Sequence, residues 1–288
     1  MYLRGHLRAL LALAVTAFVP FGAMAGDDAS ERRSAAVVSY SSSAILIDGD
    51  DRLAPLDFAR AYGLTPAQLQ TRFGATGIVH CGAATGTAQL VGSNNVIVTA
   101  AHVLLDENGR RRAEGSDCTF VINAGDQRQE IALVLDEAIT GASAPYAEPA
   151  VRDWAVVPLA ASAYGARPYH LATTLDVPSA IVLSSAARAS GEWASLERCQ
   201  ARNVTAQTND GLREVAIDCD AEGGTSGSAI LSETGGFLGV YVGFRSAHPG
   251  VSGPFSATHY NFAVTAEGAL RRAVMEVVSQ NQPLSASR

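Results

Sequence analysis

No lysine occurs anywhere in the chain: all 21 strongly basic side chains are arginine. That absence removes every mechanism in which a lysine activates a serine. Histidine is sparse, six in 288 residues, and neither a Cys-x-x-Cys pair nor a histidine cluster is present. A metal site is therefore the weaker reading of the cysteines, and neither metal nor cofactor is expected. Basic groups are outnumbered, 21 against 28 acidic ones, for a net charge of −7. An acidic surface repels phosphate, which argues against nucleic acid or an anionic membrane as partner. Long apolar runs are also missing past the first 25 residues. No later stretch approaches the ~18 consecutive apolar residues of a spanning helix.

The first 25 residues have the pattern of a secretory signal. Arg4 and Arg8 charge its start, residues 9–21 are apolar, and Ala23-Met24-Ala25 offers a small-x-small cleavage site after Ala25. The apolar run is short and contains Pro20, so no stable membrane insertion is expected once it is removed. Its removal takes away two arginines and no acid, moving the net charge from −7 to −9. The chain is then expected to be secreted or periplasmic. Behind such a leader, the even set Cys81, Cys118, Cys199 and Cys219 reads as two disulfides. Four cysteines allow three pairings. Cys81–Cys118 with Cys199–Cys219 is preferred, because each bond then closes a local loop within one half of the chain.

Residues 26–43 are polar and small, and 26–75 as a whole reads as a pro-segment or N-terminal arm, with a cut expected near 43–45. Residues 44–48 are a short strand candidate, followed by a turn at Gly49-Asp50-Asp51. Two helical turns are expected at 56–63 and 65–73, the second opening with Thr65-Pro66 in cap and first-turn positions. From Gly77 the pattern becomes β. Strands are expected at 87–91 and 95–99, about the turn Gly92-Ser93-Asn94, and at 118–123, 130–135 and 154–157; residues 106–112 and 140–149 read as surface loops. A second set comes at 180–183, 196–204, 215–218, 229–231, 237–242 and 259–264. A helix over 266–279 closes the chain, with Leu270, Val274, Val277 and Val278 roughly on one face. This predicts an all-β protein of antiparallel barrels or sandwiches in two halves, 76–165 and 166–288.

Three local patterns carry chemistry. Asp220-Ala-Glu-Gly-Gly-Thr-Ser226-Gly-Ser surrounds a serine with small residues, so that backbone N–H groups can converge on one point beside its hydroxyl. Val96-Ile-Val-Thr-Ala-Ala-His102 delivers a histidine at the end of an apolar strand. Imidazole suits proton transfer near neutral pH. Asp153 stands just before the apolar run 154–159, which draws its carboxylate inward to seek a donor such as an imidazole N–H. Taken singly, each is an ordinary feature of a β protein. Together they form a His–Asp–Ser series that can pass a proton from Ser226 to His102 while Asp153 fixes the ring.

The order of the series separates the candidates. An α/β-hydrolase needs the acid and His after its serine and a Gly-x-Ser-x-Gly elbow, where Ser228 stands here. A subtilisin-like order puts the acid before the His. Thr99-Ala-Ala-His102, Asp153-Trp-Ala-Val-Val and Gly224-Thr-Ser226-Gly-Ser resemble the three signatures of trypsin-like serine proteases, and Cys81-Gly82 ahead of the His strand is similar too. The resemblance spans roughly residues 76–280. It implies two six-stranded β-barrels, with His102 and Asp153 from the first and Ser226 from the second. It also implies an oxyanion hole of the Gly224 and Ser226 N–H groups, with His80 a neighbour of the site rather than its base. The implied activity is cofactor-free endopeptidase chemistry on protein or peptide substrates by a monomer, through an acyl-enzyme.

Within that family, Gly224-Thr-Ser-Gly-Ser228, residues 45–52 and the Cys199–Cys219 spacing resemble the bacterial glutamyl-endopeptidase-like branch. The specificity pocket is expected at Asp220, Ala221, Tyr241 and Gly243. A glutamate-selective pocket has a His and a hydroxyl residue where this chain has Tyr241 and Ala221, whereas Asp220 stands where trypsin-like members bind Arg or Lys. Cleavage after basic residues is the resulting expectation. Thr225 replaces the acid that receives the new N-terminus in digestive proteases, so that route of activation is not expected. The competing readings are a catalytically silent binding module and an esterase on the same fold.

Overall fold

The structure is a computed structural model that describes residues 44–113, 117–125, 127–189 and 191–281. Residues 1–43, which include the expected secretory leader and the start of the expected pro-segment, lie outside the described residues.

The first half is a seven-stranded antiparallel sheet in the order β5-β4-β1-β2-β3-β7-β6. Its strands are β1 (Thr76–Cys81), β2 (Ala84–Leu90), β3 (Val96–Thr99), β4 (Cys118–Ala124), β5 (Gln127–Ala132), β6 (Ile139–Thr140) and β7 (Ala155–Pro158). Every residue of β3 and β7 is buried, which suits their continuous apolar sequences in the interior of a sheet. The chain leaving β5 meets the chain leaving β7 through a bridge between Leu133 and Leu159. The Ala160 N–H also donates to the Ala132 carbonyl, so the sheet curls back on itself.

The second half is a closed barrel in the order β10-β13-β12-β11-β8-β9. It comprises β8 (Ser179–Arg188), β9 (Gly191–Gln207), β10 (Arg213–Ile217), β11 (Ala229–Leu231), β12 (Phe237–Ser246) and β13 (His259–Thr265). A six-stranded barrel is therefore found here. The first half differs from the expected six strands by one, the extra member being the two-residue edge strand β6.

Outside the sheets, α1 (Pro55–Ala61) and α2 (Pro66–Phe73) lie near the start of the described chain. Thr65 caps α2: its hydroxyl accepts from the Gln68 N–H while the Gln68 side chain accepts from the Thr65 N–H, a reciprocal box that satisfies two N-terminal donors. The final helix α4 (Gly268–Gln280) buries Leu270, Ala273, Val274 and Val277. It packs on β3 and β7 of the first sheet, so the end of the second half covers the strands that flank His102 and Asp153.

Residues 44–48 do not form the strand expected of them. Ile45 bridges Ala221 antiparallel, whereas Ile47 bridges Gly253 in parallel, so neighbouring stretches are held by different partners. Both isoleucines are buried against the second half. The cysteines pair as Cys81–Cys118, across the register of β1 and β4, and as Cys199–Cys219.

Candidate active site

β3 carries the chain into the interior and stops at Ala100 and Ala101, both fully buried and too small to crowd the histidine after them. A single helical turn, α3 (Ala101–Leu104), then aims His102 sideways. β7 pairs with β3 so that Ala155 lies opposite Thr99, which brings Asp153, two residues ahead of Ala155, to the same end. A 3₁₀ turn over Ala150–Arg152 directs Asp153 inward, where it is fully buried.

A buried carboxylate needs donors for both oxygens, and one residue supplies them. The His102 N–H donates to Asp153 Oδ1 at 2.9 Å, and the ring Nδ1 lies 2.6 Å from Oδ2. This arrangement selects the tautomer with its proton on Nδ1 and leaves Nε2 as an acceptor. The His102 carbonyl accepts from Arg112 Nε at 3.0 Å, and the same guanidinium donates to the Tyr146 hydroxyl at 2.7 Å. Tyr146 stands edge-on to the imidazole, ring centroids 6.1 Å apart.

Ser226 sits on a compact turn ahead of β11. The Thr225 N–H donates to the Glu222 carbonyl at 3.0 Å and the Ser228 N–H to the Thr225 carbonyl at 2.9 Å. Gly227 N–H to Tyr241 O, and Tyr241 N–H to Ser228 O, fasten the turn to β12. Gly227 is irreplaceable on two counts. Its φ is +86°, and a Cβ there would lie 2.1 Å from the Thr87 carbonyl oxygen and 2.3 Å from Thr99 Oγ1.

His102, from the first half, and Ser226, from the second, line one cavity of about 480 Å³. Gly223, Gly224, Tyr241, Gly243, Arg112, Tyr146 and Arg188 share its walls, as does His80, whose Nδ1 lies 3.2 Å from Thr85 Oγ1.

The comparisons with known proteins agree with this layout. Residues 85–240, more than half of the chain, match the family described as Trypsin-like peptidase domain. The chain belongs to the trypsin-like peptidase family. Among solved structures, a Glu endopeptidase in complex with MPD matches with a TM-score of 0.59 and 15% identity, covering 82% of this chain and 100% of that one. The thermostable serine protease AL20 from an extremophilic microorganism matches with a TM-score of 0.51 and 16% identity, covering 72% of this chain and 98% of that one. At these identities the likeness shows the chymotrypsin fold alone. No curated protein matches the sequence. This peptidase is thus a serine-type hydrolase by family.

Two residues expected in the specificity pocket are absent from the wall of this cavity. Asp220 is fully buried and does not line the cavity. Its oxygens accept instead from the Ile47 and Asp51 N–H groups, each at 2.7 Å. Burial pushes its carboxyl up to about 6, against the pull of those two backbone bonds. Ala221 exchanges two backbone hydrogen bonds with Ile45 and is also absent from the cavity wall. Tyr241 and Gly243 do line the cavity. Tyr241 is 3% exposed, and its hydroxyl donates to Asn261 Oδ1 at 3.0 Å. The Asn261 amide nitrogen in turn donates to the Cys219 and Ile45 carbonyls. Burial drives the Tyr241 phenol upward.

Sequence reasoning missed Arg112, Tyr146 and Arg188 as cavity residues. Arg112 ends an Arg-Arg-Arg run that reads as a solvated loop, and Tyr146 sits in a loop of small residues. The guanidinium carbon of Arg188 lies 3.0 Å from the Trp193 ring centroid, and its Nε is 3.1 Å from Glu222, which Arg52 also binds at 2.8 Å. An aromatic in the loop between the His and Asp strands was the one local signal for Tyr146.

Proposed function

We propose that this chain is a secreted serine endopeptidase with Ser226 as nucleophile, His102 as general base and acid, and Asp153 as the group that orients the ring. The observation that carries the reading is the bonding of both Asp153 oxygens to His102, beside a cavity that Ser226 also lines. Ser226 Oγ attacks the scissile carbonyl carbon as its proton passes to His102 Nε2. The Gly224 and Ser226 N–H groups hold the oxyanion of the tetrahedral intermediate. Collapse breaks the C–N bond, His102 gives its proton to the departing amine, and an acyl-enzyme remains. Water, deprotonated by the same imidazole, then attacks the ester and frees Ser226. Every proton taken is returned, and the reaction is complete without an external oxidant, reductant or cofactor.

The leader pattern in residues 1–25 and the two disulfides support export to an oxidising compartment. The acidic balance of the exported chain supports a protein or peptide substrate over nucleic acid. Hydrolysis of a peptide library by the processed protein tests the activity. Ser226→Ala and His102→Ala should each lower kcat by ~10⁴-fold or more, the loss seen when a triad member is removed. Undiminished hydrolysis by either variant would reject the assignment.

A further inference from the structure

Thr87, in the middle of β2, is fully buried and does not line the cavity, yet it grips the Ser226 turn from two directions. Its N–H donates to the Ser226 carbonyl at 2.8 Å, and its hydroxyl donates to the Gly224 carbonyl at 3.0 Å. Those two carbonyls bracket the peptide between Thr225 and Ser226, whose N–H is one of the two proposed oxyanion donors. A single residue of the first sheet thus holds a turn of the second barrel on either side of that peptide.

The Thr87 hydroxyl is itself fixed. It accepts from the Ala186 N–H of β8 at 3.3 Å and lies 3.3 Å from Ser185 Oγ. The Thr87 carbonyl accepts from Thr99 Oγ1 at 2.7 Å, at the end of the strand that leads to His102. The turn needs such a clamp. Gly224 has a φ of +93° and no Cβ, so its own sterics restrain the direction of its carbonyl weakly. Preorganised donors stabilise an oxyanion only when held where the charge will form.

We infer that Thr87 is a positioning residue for the oxyanion hole: its hydroxyl fixes the Gly224 carbonyl and thereby the aim of the N–H groups on either side. This rests on the catalytic reading above. Thr87→Val keeps the shape and the backbone bond to Ser226 but removes the donor to Gly224. Its kcat should fall ~10- to 100-fold, part of the loss expected when an oxyanion donor is removed outright, while KM stays within about twofold. Affinity for a peptidyl trifluoromethyl ketone, which a serine converts to a tetrahedral oxyanion, should fall by the same factor as kcat. Thr87→Ser, which keeps the hydroxyl, should recover activity to within about threefold of wild type.

A Thr87→Val protein with wild-type kcat would overturn the inference. So would a kcat loss that ketone affinity does not match, or a Thr87→Ser variant as impaired as Thr87→Val. Should the valine variant fail to fold, Thr87→Cys substitutes a weak S–H donor of similar size; an intermediate kcat supports the clamp and an unchanged one rejects it. Wild-type protein unreactive toward a fluorophosphonate would instead defeat the catalytic reading itself. Active wild type with an unaffected Thr87→Val defeats this inference alone.

Discussion

Asp153 gives both carboxylate oxygens to His102, one to the backbone N–H at 2.9 Å and one to the ring Nδ1 at 2.6 Å. The first bond sets where the residue sits and the second sets which way its ring faces. Asp153→Asn keeps the shape but presents an amide to the imidazole and favours the tautomer with its proton on Nε2. A fall in kcat of ~10⁴-fold is expected with the fold intact. Peptide kinetics beside circular dichroism check it, and a loss under tenfold would remove Asp153 from the role given to it.

The turn that carries Ser226 tolerates nothing larger than glycine at position 227. Gly227→Ala places a Cβ 2.1 Å from the Thr87 carbonyl in addition to the strain of its positive φ. Gly250 has an equally positive φ of +87° but open space around its missing Cβ. Gly250→Ala should therefore cost about 1 kcal/mol and Gly227→Ala more than ~3 kcal/mol, with activity lost only in the latter. Urea unfolding of the two variants measures the difference.

Stability should respond to Asp220 in the sense opposite to that of an ion-paired carboxylate. Its ordinary value of 3.8 is raised to about 6, and Glu197 beside it is raised by burial and by the Asp220 charge. Between those two values the folded protein keeps a proton on Asp220 that the unfolded chain releases. Stability from this group is therefore greatest at low pH and declines as pH rises through about 6. Asp50, Glu192 and Glu267, held low by arginines, contribute the reverse trend. The signature is thus the difference between wild type and Asp220→Asn: the variant should lose less stability than wild type as pH rises from about 4 to about 6. Parallel melting profiles across that window would contradict the placement of Asp220.

Substrate profiling separates the sequence expectation from the structure. Asp220 is turned to Ile47 and Asp51, so a peptide library should show no selection for Arg or Lys before the scissile bond. Tyr241 does line the cavity. Tyr241→Ala should admit bulkier side chains, at a stability cost of ~3 kcal/mol for the emptied volume and the abandoned Asn261. Dominant cleavage after arginine by the wild type would restore the sequence-based expectation.

What could be read from the sequence tracked the range of the interactions involved. The N-cap at Thr65, the apolar stripe of the last helix and the turn at Gly92 are local, and each lies where its pattern placed it. All six strands of the closed barrel were expected from the sequence, although β9 extends to 17 residues, well past the stretch 196–204 that marked it. The edge strand β6 of the first sheet is two residues long and has no pattern of its own. The fate of Asp220 depends on N–H groups 173 and 169 positions away, which no local window contains. Arg112 and Tyr146 acquire meaning only when their loops fold against His102.

The central claim is an activated Ser226, and the direct measurement is labelling of the processed protein with a fluorophosphonate probe, then mass spectrometry of the adduct. One modified residue, Ser226, is predicted, with no labelling in His102→Ala. Folded, processed protein that stays unlabelled, or an adduct on another residue, would contradict the claim.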